Sequence, residues 1–336
     1  MNPEEIQPLL FQAIKSKLPA DASVVDEIAG LLGISTDSVY RRMKGEKQIT
    51  LDELYKIAIH YRISMDQLMN INSGTIQFQG QYVDKKNFRF EEYMNNVLRY
   101  LVYMNSFKEK ELYWSCKDLT LFHHYVFREI AAFKWFFWLK TYFDFPEFKK
   151  RKFRFSDYPD ELFAIDQKVL TLYNQIPSVE IWNLESMNII FRQIDFYRDG
   201  HVFESDRDAY ILYETLEKLW HHLEMQASLG YKFAYGDPEQ KPAAKFRMYF
   251  NEVLLGDNNS LVVLDGVKIS NIIHTTINFM TTRDVDFNDN MYNYLQNQMK
   301  RSTLISSVSE KERSKFSGSS GNGSAGKKKR WIFNFL

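Results

Sequence analysis

A chain of 336 residues, 45% hydrophobic and 26% charged, has room for two domains and the composition of a globular protein with a sizeable core. Basic and acidic side chains balance at 43 each, so no overall positive field draws the chain to nucleic acid, and such a contact must rest on local arrangement. The single cysteine, Cys116, excludes an intramolecular disulfide and fits a reducing compartment.

The N-terminus carries Glu4 and Glu5 and no apolar run follows, which argues against a secretory leader. The most apolar stretch, 123–143, is interrupted by Arg128, Glu129, Lys134 and Lys140. Each charge is costly at bilayer depth, so a buried helix is expected there rather than a membrane span. Together these features predict a cytoplasmic protein.

Residues 3–17 carry Ile6, Leu9, Leu10, Ala13 and Ile14 at helical spacing, and Pro19 ends the run. Asp21 is a candidate cap for a second helix bearing Val24, Val25, Ile28, Ala29, Leu31 and Leu32, which Gly33 closes. Ser35 caps a third through Met43, with Gly45 as the stop. Thr50 followed by Glu53 is a capping-box pattern opening a fourth helix, and Ser64 opens a short fifth through Met69. Residues 1–72 therefore read as a five-helix domain, and the polar stretch 73–88 as a linker.

Beyond it, helices are expected at about 89–107, 122–143, 160–175, 180–198, 206–229 and 288–305, with a short extended run at 112–116. The β-rich runs 246–255 and 261–268 flank Gly256, Asp257, Asn258, Asn259 and Ser260, a hairpin signature. Residues 272–281 fit either a third strand or a helix start. The expected fold class is mainly α: a five-helix repressor-like domain, then a larger α-rich domain at 89–316 with a small antiparallel hairpin or sheet. Residues 317–336 read as a Gly/Ser-rich flexible tail with a basic, aromatic end.

The segment 26–45 carries the function. Ala29 allows two helices to cross closely, Gly33 supplies the turn, Ile34 plugs it from inside, and Val39 anchors the second helix on the first. Small residue, four on to glycine, six on to an aliphatic side chain: this is helix-turn-helix spacing. Residues 1–72 hold eight basic and ten acidic groups, but 40–47 nets +3, with Arg41, Arg42, Lys44 and Lys47 against Glu46.

On these residues the sequence resembles the phage-repressor (Cro/repressor-like) helix-turn-helix family, and most closely the BetR-type transcription regulators. The likeness runs over 20–70 through 24–29, 33–35, 40–46 and 50–54. The segments 117–122, 131–138, 177–183, 251–253, 302–306 and 310–313 also resemble recurring parts of large regulators of this type. The resemblance implies double-stranded DNA as partner and a C-terminal domain for dimerisation or for sensing a small-molecule or peptide effector. It places the helix 35–44 in the major groove. Thr36, Asp37, Tyr40 and Arg41 are then the outward candidates, with Arg41 the best match to a guanine and Thr36 and Tyr40 open to either bases or phosphates. Arg42, Lys44 and Lys47 are expected on phosphates, and Ser35 completes the set. Asp37 either accepts from a cytosine amino group or orients Arg41 one turn on; the second is favoured. One such helix reads few base pairs, so a homodimer is expected.

Other features favour plainer readings. Adjacent histidines at 123–124 and 221–222 diverge by about 100° on a helix and lack ligand-spaced partners, so no metal is expected. Cys116 sits in an apolar run and reads as inert. The aromatic helix 131–138 reads as core before ligand pocket, and the basic run 149–154 as a solvated loop. No phosphate loop, nucleophile elbow or dinucleotide fingerprint is present, so no catalytic residue or cofactor is expected. Two alternatives stay open: a protein-interaction module that does not use DNA, and an unrecognised enzyme in the C-terminal domain.

Overall fold

In the computed structural model the chain divides into two compact units, Met1–Gln77 and Phe78–Leu336. The structure describes residues 3–15, 17–18, 22–61, 63–65, 68, 76–80, 88–253, 256–275 and 277–307. Most of the fifth helix expected after Ser64, much of the linker, and the tail 317–336 lie outside them.

The first unit holds α1 (Pro3–Lys15), α2 (Val24–Leu32), α3 (Thr36–Met43) and α4 (Leu51–Tyr61). Each turns its apolar stripe inward, so that Leu10, Ile14, Ile28, Val39 and Ile57 form one core. Ser23 caps α2 by accepting from the Asp26 N–H at 3.3 Å; the expected cap, Asp21, lies outside the described residues. The capping box at α4 forms as its residues predict: Glu53 accepts the Thr50 N–H at 3.0 Å, and Thr50 accepts the Glu53 N–H at 3.3 Å.

The second unit is not the α-rich domain with a small hairpin that the sequence suggested. A nine-stranded mixed sheet runs through it. Its strands are β1 (Gln79–Gly80), β2 (Lys110–Cys116), β3 (Ser178–Trp182), β4 (Tyr231–Lys232), β5 (Ala244–Phe250), β6 (Ser260–Leu264), β7 (Val267–Ile273), β8 (Phe279–Thr282) and β9 (Thr303–Leu304). Their order is β1-β8-β7-β6-β2-β3-β5-β4, with β9 also on β5. Strand β3 lies parallel to both β2 and β5, and the other pairings are antiparallel.

Alternation along the strands sends side chains to two layers. Tyr113, Val179, Ile181 and Leu261 meet Leu295 and Met299 of α11 (Val285–Lys300). Leu112, Trp182, Phe246, Met248 and Val262 face the opposite layer. That layer comprises α5 (Phe90–Asn105), α6 (Leu121–His124), α7 (Arg128–Phe137), α8 (Asp160–Asn174), α9 (Leu184–Asp199) and α10 (Asp206–Leu229). Helix α5 buries Phe90, Met94, Val97, Leu101 and Met104, a 4-3-4-3 spacing that lays one stripe on the core. Each such burial stabilises by about 1.5–3 kcal/mol.

Several expected elements change identity. The runs flanking 256–260 are strands β5 and β6, but they do not pair with each other. The hairpin is β6–β7, closed at Leu264 and Val267 by Asp265 and Gly266, whose φ values of 45° and 85° make a two-residue primed turn. The helix expected from 180 begins instead at Leu184, after β3. The helix expected over 122–143 is broken into α6, α7 and a wider π turn at Trp138–Tyr142. Of 272–281, the ends belong to β7 and β8, and the helix expected over 288–305 is α11, which stops at Lys300.

Candidate nucleic-acid interface

The turn between α2 and α3 is built by Gly33. Its φ of 66° and ψ of 37° are left-handed, and its N–H closes on the Ala29 carbonyl at 2.9 Å. A Cβ there would meet nothing within 4 Å, so the glycine is required by its backbone angle and not by space. Val39, fully buried, then docks α3 on Ile28.

Helix α3 presents most of the anticipated residues outward. Thr36, Asp37, Lys44 and Lys47 are exposed, Tyr40 is 52% exposed, and the Arg41 side chain is 56% exposed. Ser35 is also exposed, but its hydroxyl is committed to the cap: it accepts the Ser38 N–H at 3.3 Å and donates to the Ser38 hydroxyl at 3.1 Å. Among the described residues Arg41 pairs loosely with Glu46, at 3.8 Å, so the expected orienting contact from Asp37 is not made.

Arg42 departs from expectation. The sequence places it among the phosphate contacts, yet it is 2% exposed. Its Nη2 and Nε donate to the two Glu53 oxygens at 2.6 and 3.1 Å, and Nη1 donates to the Ser38 carbonyl at 2.9 Å. The fork of a guanidinium matches a carboxylate, and here that partner lies eleven residues away inside the same unit. These bonds, with the Thr50 N–H, hold the Glu53 carboxyl below the usual range despite the opposing push of burial. Arg42 thus joins α3 to α4 and is not presented to a ligand.

One positioning residue escaped the sequence reading. Gln7 of α1 donates to the carbonyls of Arg42, at 2.5 Å, and Lys47, at 2.9 Å, and accepts the Ile49 N–H at 3.0 Å. A single amide so fixes the loop that carries Lys44 and Lys47. Nothing in a lone glutamine on a helix signals this, because its partners are backbone atoms some forty residues on.

Among the described residues the first unit thus has four helices, three of them capped by Ser23, Ser35 and Thr50, a left-handed glycine turn, and a third helix with Tyr40 and Arg41 exposed. Residues 12–81 match the family model of the BetR domain. A BetR domain is a helix-turn-helix-type regulator domain, and it points to a DNA-binding regulatory role in general. The match stops at residue 81, so the likeness expected over segments 117–313 is not part of it. No curated protein and no solved structure matches the chain.

The second unit places the remaining candidates. His123 bonds Glu180 at 2.9 and 3.1 Å, deep under the sheet, where Tyr173 and Trp182 also donate to that carboxylate. Burial alone would push the Glu180 carboxyl up; His123, Tyr173 and Lys232 overcome it and hold it low. Burial pushes Lys232 down to about 7. His222 bonds Gln226 at 3.0 Å, and His221 is exposed beside Glu224. Burial pushes the Cys116 thiol up, which disfavours the reactive thiolate. In the basic run, Lys149, Arg151 and Arg154 pair with Asp144, Asp157 and Glu204. Among the described residues no helix is long and apolar enough to cross a membrane.

Proposed function

We propose that the protein is a sequence-specific transcriptional regulator whose α3 enters the major groove of DNA. The observation that carries the reading is the capped α3 of a BetR domain with Thr36, Tyr40 and Arg41 all turned to solvent. Thr36, Asp37, Tyr40 and Arg41 face base edges, with Arg41 forking onto a guanine, while Lys44 and Lys47 take phosphates. Ser35 and Arg42 hold the helix and touch no base. With only two phosphate-facing lysines, affinity is modest per domain and falls with salt. Selection of bound duplexes from a random pool by the full chain tests this. One recurring motif supports it, and binding without any sequence preference at low salt refutes it.

Self-association belongs to the same proposal. Leu51, Tyr55 and Ile59 lie one turn apart on α4 and are 83%, 67% and 59% exposed, an apolar stripe unusual for a small domain's surface. The occupant proposed is a second copy of the chain, since two half-sites supply the affinity one α3 lacks. Sedimentation of the protein on a two-half-site duplex is expected to give two chains per duplex, and Ile59→Glu to give one. Two chains per duplex with the variant would refute the stripe as the contact.

A further inference from the structure

The second unit contains a cavity of about 370 Å³ outside everything described so far. The residues that follow the carboxyl end of β2 wrap it, from Lys117 to Phe122, and Leu101 and Met104 of α5 close another side. Its volume lies within the range of small-molecule sites, and its walls are mostly apolar, with Tyr93, Tyr100, Phe122 and Phe279 among them.

The polar groups in this wall have a common feature. The indole nitrogens of Trp114 and Trp138, the hydroxyl of Thr120 and both ring nitrogens of His124 are buried and have no hydrogen-bond partner among the described residues. All four residues line the cavity. Thr120 stands at the N-cap position of α6, yet its hydroxyl caps nothing. A buried donor left without a partner costs about 1–3 kcal/mol, so a cluster of them around one cavity calls for a reason. Burial, with Lys134 and His123 nearby, keeps the His124 ring neutral, so it offers one donor and one acceptor.

The charges around the cavity are already matched. Lys117 pairs with Asp257 at 2.8 Å, and Asp118 takes the buried Lys134 ammonium at 2.9 Å. An ionic ligand would find no free counter-charge in those pairs. Lys117 and Asp257 are exposed, as are Tyr142 and Thr275, and these residues mark the mouth.

We infer that this cavity binds a neutral, largely aromatic small molecule bearing hydrogen-bond acceptors, which the Trp114 and Trp138 indoles, the Thr120 hydroxyl and the His124 ring receive. The inference stands on the second unit alone and does not depend on the DNA reading. The aromatic walls supply the apolar burial, and the donors fix orientation and reject ligands that lack acceptors.

The test uses the full chain and the fluorescent naphthyl ketone prodan, which is neutral, planar and carries a carbonyl acceptor. Saturable one-to-one binding is expected, with blue-shifted emission and a Kd on the order of 10 µM. The variant Thr120→Val/His124→Phe removes three of the five unpaired atoms at nearly constant volume. It is expected to weaken prodan about tenfold or more and to leave 2-dimethylaminonaphthalene, the same ring system without the carbonyl, within about threefold. Its melting temperature is expected to stay level or rise, because unpaired polar atoms leave an apolar wall. Thr120→Val alone, the milder change, gives the same ordering of the two probes if the double variant fails to fold. Prodan binding that does not saturate at one per chain overturns the inference. So does an equal loss for both probes.

Discussion

Glu53→Ala tests whether Arg42 is an internal strut of the first unit. Arg42 is 2% exposed, and its charge is met by Glu53 through bonds of 2.6 and 3.1 Å. Deleting the carboxylate strands a buried cation, which costs about 3–5 kcal/mol when both partners are buried. The Glu53 side chain keeps 17% of its surface in water, so the lower end applies, and loss of the cap on Thr50 adds about 1 kcal/mol. Arg42→Met leaves behind a carboxylate that can turn to water, and costs about 1 kcal/mol. The readout is amide hydrogen exchange of α3 and α4 in the full chain. The first unit has no tryptophan, so fluorescence would report only the rest of the molecule. Glu53→Ala is expected to lower protection of α4 roughly a thousandfold, and Arg42→Met roughly fivefold. Equal losses from the two variants would refute the strut. So would a fall in the salt slope of DNA binding with Arg42→Met, since a strut releases no counterions.

Acid titration of the same amides should show the Glu53 contribution intact above about pH 4.5 and lost as pH falls through the lowered value, because the folded state holds this carboxyl ionised. Arg41→Ala is expected to relax base preference at one position, costing about 1–3 kcal/mol on the best site. Lys44→Ala should weaken all sites alike and reduce the salt slope by about one; duplex binding at several salt concentrations separates the two. Gly33→Ala is expected to destabilise the first unit by about 1–2 kcal/mol through backbone angle alone, measured by the same exchange. Asp166 is buried, with the Tyr158 hydroxyl on its carboxyl, and burial raises it to about 7. The unfolded chain ionises this group near 3.8 and the folded one does not, so the second unit loses stability as pH rises from about 4 to 7. Asp166→Asn should flatten that slope and raise the melting temperature at pH 8; an unchanged slope would refute the assignment.

The helices of the first unit were legible because their determinants are local. The spacing of Ala29, Gly33 and Val39, and the pairing of Thr50 with Glu53, lie within ten residues of one another and each has one physical meaning. Arg42 was misread because its partner is distant: three basic neighbours look like a solvated cluster until Glu53 folds back across α3. The sheet was misread for a related reason. Every residue of β3 is buried, between two parallel neighbours, so Ser178–Trp182 shows no in–out alternation and runs into the α9 pattern unmarked. The polar stretch 256–260 carries the stronger hairpin signal, while the shorter Asp265 and Gly266 pair holds the turn. The unpaired donors around the cavity come from β2, α6 and the π turn, and no periodicity within one segment brings them together.

The strand order has a bearing on how this chain must be made. Strand β2, at residues 110–116, is flanked on one side by β6, at 260–264, and on the other by β3, while β5 waits for β9 at 303–304. On the ribosome the four local helices at the front can settle while synthesis continues. The sheet cannot close until almost the last of the described residues has emerged. A chain cut short between residues 182 and 260 has β2 and β3 but leaves β2 with a bare hydrogen-bonding edge where β6 belongs. Shortened products should therefore clump through that edge, whereas a fragment ending near residue 77 carries no such strand.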